Sequence, residues 1–241
     1  RVLFRSSAAA ALEVSRPHPG WSEQRPQDWC TATTAALDRL KSEHGKEMAA
    51  VTGIGLSGQM HGATLLDADD NALRPAILWN DGRSHAQARA LDQGEPRFRS
   101  LGGNVVMPGF TAPKLAWVAK HEPEVFARIK KVLLPKDYVR LWLTGEYASD
   151  MSDAAGTLWM DVAGRRWSEA LLAATGLTQA QMPRLVEGTD VTGRVRPEHV
   201  ARWGFAGWPI VAGGGGDNAA AACGVGVVAA GDAFVSLGTS G

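Results

Sequence analysis

Residues 51–62 read Val-Thr-Gly-Ile-Gly-Leu-Ser-Gly-Gln-Met-His-Gly, a glycine-rich stretch that can be interpreted in two ways. Its residues 53–58 have the letters of the dinucleotide fingerprint G-x-G-x-x-G, which requires a helix directly afterwards to hold a pyrophosphate. A polar turn at 59–62 follows instead, and then a segment typical of a strand. The sequence therefore predicts a buried strand at 48–56 and argues against a Rossmann nucleotide site.

Outward from this stretch, strand-like and helix-like segments alternate, which predicts an α/β or mixed fold. Trp29, Ala36 and Leu40 share one face of a helix predicted at 28–44. Further helices are predicted at 83–91, from 111 through 118, and at 123–129, 136–143, 168–175 and 219–223. Further strands are predicted at 8–14, 63–67, 75–79, 132–134, 158–161, 209–212 and 233–237.

Composition excludes several classes of protein. The chain has 241 residues, with 25 Lys and Arg against 25 Asp and Glu, so it lacks the basic excess of nucleic-acid binders and polybasic membrane anchors. The small apolar stretch 219–230 is too short to span a bilayer. Two cysteines, Cys30 and Cys223, cannot form a disulfide framework, and this favours a cytoplasmic location.

Three further kinds of site motif are missing from the sequence. It contains no P-loop motif and no G-x-S-x-G nucleophile elbow. Its six histidines form no H-x-x-x-H pair, so we predict no metal ligands of the chain's own and expect any Mg²⁺ to come with a phosphate.

The turn Gln59-Met60-His61-Gly62 combines an amide, an imidazole and glycines at the end of a predicted strand. That combination suits recognition of a ligand rich in hydroxyl groups. The alternative is a purely structural histidine.

A second polar turn, Trp79-Asn80-Asp81-Gly82-Arg83, also follows a predicted strand. In one interpretation Asp81 caps the next helix and Arg83 is solvated. In the other, the segment forms the polar rim of a sugar pocket, and Trp79 stacks on the apolar face of the ligand.

Four glycines at 213–216 precede Asp217 and Asn218, and they predict a hinge or a close approach of the backbone. Asp217 is placed where a carboxylate could take a proton from an alcohol, although it could equally be a helix cap. The small residues at 236–241 form either a backbone nest for phosphate or a plain hairpin turn.

Taken together, these segments resemble the FGGY family of carbohydrate kinases. The run Gly-Phe-Thr-Ala-Pro-Lys-Leu-Ala-Trp-Val-Ala-Lys-His at 109–121 looks like the first signature of that family. Further segments resemble bacterial family members that phosphorylate D-xylulose almost residue for residue; they lie at 15–19, 58–62, 79–83, 134–138 and 149–157.

The resemblance implies an α/β fold of the actin-like ATPase, or ribonuclease-H-like, type, with two domains and a cleft between them. Residues 1–212 would form the N-terminal FGGY sugar-binding domain. Residues 213–241 would form the hinge and the start of the C-terminal ATP-binding domain, including its first strand.

The resemblance also implies roles for residues. Asp217 would be the base that activates the sugar hydroxyl. The sugar would be bound by Met60 and His61, together with Gln59, Trp79 and Asn218. Gly238, Thr239 and Ser240 would form the second phosphate loop.

The implied substrates are D-xylulose and ATP, with Mg²⁺ bound through the phosphates, and members of such a family can form homodimers. Alternatives are a kinase for another sugar or polyol, such as ribulose, glycerol or gluconate, and a non-catalytic sugar-binding remnant. An actin-like filament protein is a further alternative, which the sugar-site segments disfavour.

The chain starts at Arg1 rather than Met and stops after Gly-Thr-Ser at Gly241. From this we expect a fragment cut at both ends, with residues 1–6 not native. The first phosphate loop of the family is absent from the sequence, so we expect the chain alone to be inactive.

Overall fold

The computed structural model describes residues 6–235. Its helices are α1 Pro26–Glu43, α2 Gly45–Ala49, α3 His85–Gly94, α4 Arg97–Ser100, α5 Thr111–His121, α6 Pro123–Phe126, α7 Pro135–Thr144, α8 Met151–Ala154, α9 Glu169–Ala173, α10 Pro197–Trp203 and α11 Asp217–Gly224. Short 3₁₀ helices cover Ala155–Thr157 and Gln179–Gln181.

The strands are short. They are β1 Glu23–Gln24, β2 Gly53–Ile54, β3 Ser57–Gly58, β4 Thr64–Leu66, β5 Ala76–Ile77, β6 Lys131–Leu133, β7 Ala148–Asp150, β8 Met160–Asp161, β9 Arg166–Trp167, β10 Arg184–Val186, β11 Val191–Arg194, β12 Ile210–Ala212 and β13 Gly215–Gly216.

Two parallel pairings position the candidate site. Strand β12 pairs in parallel with β2 and antiparallel with β11, giving the order β11-β12-β2. Further along the same two chain segments, β13 pairs in parallel with β3. The polar turn after β3 and the start of α11, which follows β13 directly, therefore emerge at the same edge, since the carboxyl ends of parallel strands lie side by side.

The largest core cluster packs helix α5 against α3, β4, β5 and the segment around Trp159. Nearly every side chain from Thr111 to Val118 is buried. A second cluster joins α7, α10 and β12 around Leu143, Trp203 and Val211, with Leu37 and Leu40 of α1 against it. The second cluster also packs against the parallel strands β2 and β12 through Ile54 and Val211.

Most predicted elements are confirmed, with boundaries shifted by a few residues. The segment 8–14 is not a strand: its backbone is largely exposed, and the nearest pairing is a single bridge between Ser15 and Glu23. The strand predicted at 48–56 is shorter than expected, because Met48 belongs to α2. Residues 233–235 of the strand predicted at 233–237 are not in a strand, and the rest of that segment lies outside the described residues.

Within residues 6–235, no helix combines the length and the apolar character that a membrane crossing requires.

Candidate active site

The turn after β3 and the first residues of α11, which follow β13, face one cavity of about 440 Å³. It gathers the predicted site residues Met60, His61, Trp79, Asp217 and Asn218. The remaining lining residues are Asn80, Met107, Pro108, Gly109 and Phe110. Residues far apart in sequence thus meet because the two strands run in parallel.

Gln59 does not join this group. Its Nε2 donates to Oε1 of Gln24 at 2.9 Å, and the indole Nε1 of Trp29 donates to the same oxygen at 2.9 Å. Successive side chains of an extended segment point in opposite directions, so Met60 faces the cavity while Gln59 faces helix α1.

His61 adopts an unusual backbone conformation. Its φ is +65°, and the amide of Gly62 donates to the carbonyl oxygen of Met60 at 2.8 Å across it. This is the γ-turn with a positive φ at its central residue, which is rare and strained for any residue but glycine. His61 lines the cavity, and strained residues of this kind are common at functional sites.

The imidazole of His61 is held as a neutral ring. Nδ1 lies 2.8 Å from the carbonyl oxygen of Gly156, which can only accept, so Nδ1 carries the proton and Nε2 is a free acceptor. Burial lowers the pKa of His61 from 6.5 to about 4. Phe110 packs edge-on against the ring, with 4.7 Å between the centroids.

The glycines at 213–216 bring the backbone close to other parts of the chain. A Cβ on Gly213 would lie 2.1 Å from the carbonyl oxygen of Glu187, and one on Gly214 would lie 2.0 Å from that of Leu56. A Cβ on Gly216 would lie 2.9 Å from Sδ of Met60. The segment therefore makes the close backbone approach that was one of the two roles predicted for it.

Asp217 is the first residue of α11, and Gly216, not Asp217, is its N-cap. The helix-cap interpretation is therefore wrong. The carboxylate is exposed, and among the described residues its only hydrogen bond is from the neighbouring amide of Asn218, at 2.9 Å. Asp217 thus presents a carboxylate at the mouth of the cavity.

A buried charge cluster lies behind the glycine segment. Nζ of Lys136 contacts the carboxylates of Asp137 and Asp150 at 2.7 Å and that of Asp153 at 3.0 Å. Ser152 connects this cluster to the site: its Oγ donates to Asp150 and accepts from the amide of Gly216 at 3.2 Å. The residue before Asp217 is thus tied to the protein interior.

Asp81 and Arg83 fit neither of the predicted roles. Both side chains are about 1% exposed and pair with each other at 2.7 Å. Asp81 also accepts from the amide of Ser22 at 2.6 Å, and the Arg83 guanidinium lies 3.6 Å from the ring centroid of Trp21. Ser84 precedes helix α3 in the cap position, so Asp81 is neither that cap nor a pocket rim.

Sequence reasoning included Asn80 only as part of the predicted rim at 79–83, and it missed the segment from Met107 to Phe110. The segment comes directly before α5, and Gly109 approaches the carbonyl oxygen of Trp79 so closely that a Cβ would lie 2.6 Å away. The Pro108-Gly109 pair was the available signal for a turn next to the site.

The arrangement combines an exposed carboxylate and a neutral histidine with the amides of Asn80 and Asn218. Such a set can hydrogen-bond several hydroxyl groups and accept a proton from one of them. Within residues 6–235 no group of three or more His, Cys, Asp or Glu side chains is placed to hold a metal ion. Gly238, Thr239 and Ser240 lie outside the described residues.

Comparisons with known proteins point to one family. A family model described as the N-terminal domain of the FGGY family of carbohydrate kinases matches residues 4–224. The xylulose kinase of Escherichia coli K12 is 58% identical over 230 residues, which cover 95% of this chain and 47% of that protein. The chain spans about half the length of the curated relatives it matches.

Comparison with solved structures points to the same family. The crystal structure of a "xyloylose kinase" from Brucella ovis matches with a TM-score of 0.89 and 63% identity, covering 90% of this chain and 45% of that one. The xylulose kinase from Rhodospirillum rubrum matches with a TM-score of 0.86 and 31% identity, covering 91% and 46%.

Proposed function

From the premise that this chain belongs to the FGGY family of carbohydrate kinases, we propose that it forms the sugar-binding part of an ATP-dependent kinase. The fold is the mixed α/β, actin-like ATPase fold of the FGGY sugar kinases. The reaction we propose is transfer of the γ-phosphoryl group of ATP to D-xylulose, which yields D-xylulose 5-phosphate and ADP.

One observation carries this proposal. The carboxylate of Asp217 and the imidazole of His61 line the same cavity, at the ends of two paired parallel strands. A volume of about 440 Å³ is ample for a five-carbon sugar. The relatives with the name xylulose kinase extend over nearly the whole chain, which favours D-xylulose over other sugars.

Sugar recognition is assigned to the cavity lining. Nε2 of His61 accepts a hydrogen bond from a sugar hydroxyl, because Nδ1 carries the ring proton. The amides of Asn80 and Asn218 can both donate and accept. Met60, Trp79 and Phe110 supply apolar surface for the C–H faces of the sugar. Gln59 stays a proposed site residue from the resemblance alone, since it bonds to Gln24.

Asp217 is proposed as the catalytic base. Its carboxylate accepts the proton of the terminal hydroxyl as the hydroxyl oxygen bonds to the γ-phosphorus, and the bond from that phosphorus to the bridging oxygen of ADP breaks. Such transfer depends mostly on positioning and electrostatic stabilisation. Mg²⁺ bound through the ATP phosphates supplies charge neutralisation.

The phosphate contacts are assigned to Gly238, Thr239 and Ser240, with the glycine segment 213–216 as hinge. In this proposal residues 1–212 form the sugar-binding domain and residues 213–241 begin the ATP-binding domain, although the N-terminal-domain model extends to residue 224. We further propose a cytoplasmic metabolic enzyme that acts on a small molecule and can form a homodimer.

The test uses the complete reading frame that contains this chain. ADP release is measured with D-xylulose, L-ribulose, glycerol and gluconate as alternative acceptors. We expect a strong preference for D-xylulose. A preference for another acceptor would keep the kinase assignment but overturn the sugar assignment.

The role of Asp217 is tested with Asp217→Asn, which keeps the side-chain shape but removes the proton acceptor. We expect kcat to fall by about 100-fold or more, with a much smaller change in the KM for the sugar. The exposed Asp69→Asn is the matched control and should leave both constants unchanged. Substantial residual turnover in Asp217→Asn would require another base, and sugar binding without any turnover in the unmodified protein would favour a sugar-binding remnant.

A further inference from the structure

Lys114 has a buried amino group with a single hydrogen-bond acceptor among the described residues. The side chain is 0% exposed, and Nζ donates to the carbonyl oxygen of His61 at 2.8 Å. No ion pair of Lys114 is formed within residues 6–235. A buried lysine is normally paired with a carboxylate, because burial removes the hydration of its charge.

We propose that Lys114, together with Thr111, is a positioning residue that fixes the strained turn of His61 and thereby aims its imidazole into the sugar pocket. This rests on the proposed function of that pocket. The residues act through the backbone of His61 and do not touch the sugar.

The geometry of helix α5 supports a joint role for Thr111 and Lys114. Thr111 and Lys114 are three residues apart and so lie on the same face of the helix. Oγ1 of Thr111 lies 3.2 Å from the same His61 carbonyl oxygen that accepts from Lys114. Two buried donors from one helix thus converge on one carbonyl group.

The carbonyl that accepts from Lys114 and Thr111 belongs to His61, whose backbone conformation is strained. A residue with φ of +65° in a γ-turn is strained, and such a conformation persists only where the surroundings over-determine it. Without the two donors, the carbonyl oxygen of the peptide between His61 and Gly62 would lose both side-chain partners, and only the hydrogen bond from the Gly62 amide to Met60 would oppose rotation of that peptide.

Rotation of that peptide would displace the ring. The imidazole is anchored on its far side by the carbonyl oxygen of Gly156 and by the edge of Phe110. Phe110 directly precedes α5, so the same helix start places both the ring neighbour and the donors to the turn. The ring lies in the cavity only while both anchors hold.

Packing alone does not account for a lysine at this position. A methionine has nearly the same length and would fill the same buried space without loss of hydration of an amino group. Burial holds the pKa of Lys114 well below its usual range, but the amino group can donate to the carbonyl in either protonation state.

The experiment combines Lys114→Met with His61→Ala in the complete reading frame, and steady-state kinetics give the KM for D-xylulose and kcat of each single and double variant. If Lys114 acts through His61, Lys114→Met should raise the KM for D-xylulose about tenfold in the unmodified protein. The same change should have less than about a twofold effect when His61 is already alanine. Lys120→Met, on the exposed side of the same helix, is the control. It should leave the KM for D-xylulose unchanged both in the unmodified protein and in His61→Ala.

Thr111→Val is the second variant, because it removes one donor while keeping the side-chain shape. It should raise the KM in the same direction, and thermal unfolding of each variant shows whether the fold is retained. If Lys114→Met fails to fold, the comparison of Thr111→Val in the two backgrounds gives the same answer.

The outcomes separate the two proposals. If His61→Ala leaves the KM for the sugar unchanged, the pocket assignment fails and this inference fails with it. If His61→Ala raises the KM but the Lys114 and Thr111 variants do not, only the inference is overturned. Equal effects of Lys114→Met in both backgrounds would show a general structural role and would also overturn it.

Discussion

The guanidinium of Arg140 donates to the backbone carbonyl of Ala212 at 2.7 Å. Its other terminal nitrogen donates to the carbonyl oxygen of Gly213, so the two prongs of the planar group hold two successive peptide units. Arg140 is fully buried in α7. The start of the glycine segment that leads to Asp217 is thus attached to a core helix.

We expect Arg140→Lys to lower both stability and turnover. A lysine keeps the charge, but its shorter side chain ends in one nitrogen in place of the two that contact Thr192, Ala212 and Gly213, so we expect at least one buried acceptor to lose its partner. The expected loss in the free energy of unfolding is about 3 kcal/mol, and kcat should fall because the backbone before Asp217 is less fixed. Chemical denaturation and steady-state kinetics on the complete reading frame measure the two effects.

Arg194→Lys serves as the control for Arg140, because the exposed Arg194 also donates to a backbone carbonyl, that of Trp208. It should change stability by less than about 0.5 kcal/mol. A similar small loss at Arg140 would show that its contacts to Ala212 and Gly213 do not hold the segment.

Gly156→Ala should impair sugar use with a smaller effect on stability. A Cβ on Gly156 would lie 2.5 Å from Cε1 and 2.7 Å from Nδ1 of His61, so the imidazole must move. We expect a higher KM for D-xylulose, measured by steady-state kinetics. Gly94→Ala is the matched control, because no atom lies within 4 Å of its added Cβ. Unchanged sugar use in Gly156→Ala would place the His61 ring outside the pocket.

The lowered pKa of His61 predicts that the stability of the protein depends on pH. Because burial lowers this pKa from 6.5 to about 4, the unfolded state binds more protons between these two pH values. The contribution of His61 to stability is therefore complete above pH 6.5 and is lost as the pH falls towards 4, by at most about 1.4 kcal/mol per pH unit. His61→Asn should lack this dependence, which denaturation curves at a series of pH values can measure.

The carboxyl group of Asp153 should make stability depend on pH in the opposite direction. Burial raises the pKa of its carboxyl from 3.8 to about 7, against the opposing charge of Lys136. The folded state then binds more protons between these values, so stability falls as the pH rises through this window. The stability of Asp153→Asn relative to the unmodified protein should therefore increase from pH 4 to pH 7 and then level off. A constant difference across that range would mean that Asp153 is ionised throughout.

The sequence predicted local structure well where the signal lies within a few residues. The spacing of Trp29, Ala36 and Leu40 predicted α1, which spans Pro26–Glu43. The helix predicted at 136–143 is α7, Pro135–Thr144, which ends at the left-handed residue Gly145. The exposed segment 8–14 was predicted as a strand, and within residues 6–235 it pairs with no strand.

In the candidate site, too, features encoded within a few residues were predicted and those set by distant contacts were not. Met60, His61 and Asp217 were predicted from polar turns at strand ends, and the parallel pairing of β3 and β13 brings those turns to one cavity. The orientation of Gln59 was not predictable, because the pairing of its amide with Gln24 depends on where α1 packs. For the same reason Asp81 looked like an exposed cap, although it is buried against Ser22 and Arg83.

By itself, the sequence determined the α/β class, the family and the positions of the chemically active turns. These follow from local periodicity, from turn residues and from motifs that are contiguous in the chain. Only the tertiary structure decided which of those side chains face the cavity and which residues hold them, as Lys114 holds His61 and Arg140 holds Ala212. Such contacts join residues more than fifty positions apart, and the packing of whole helices against the strands sets them.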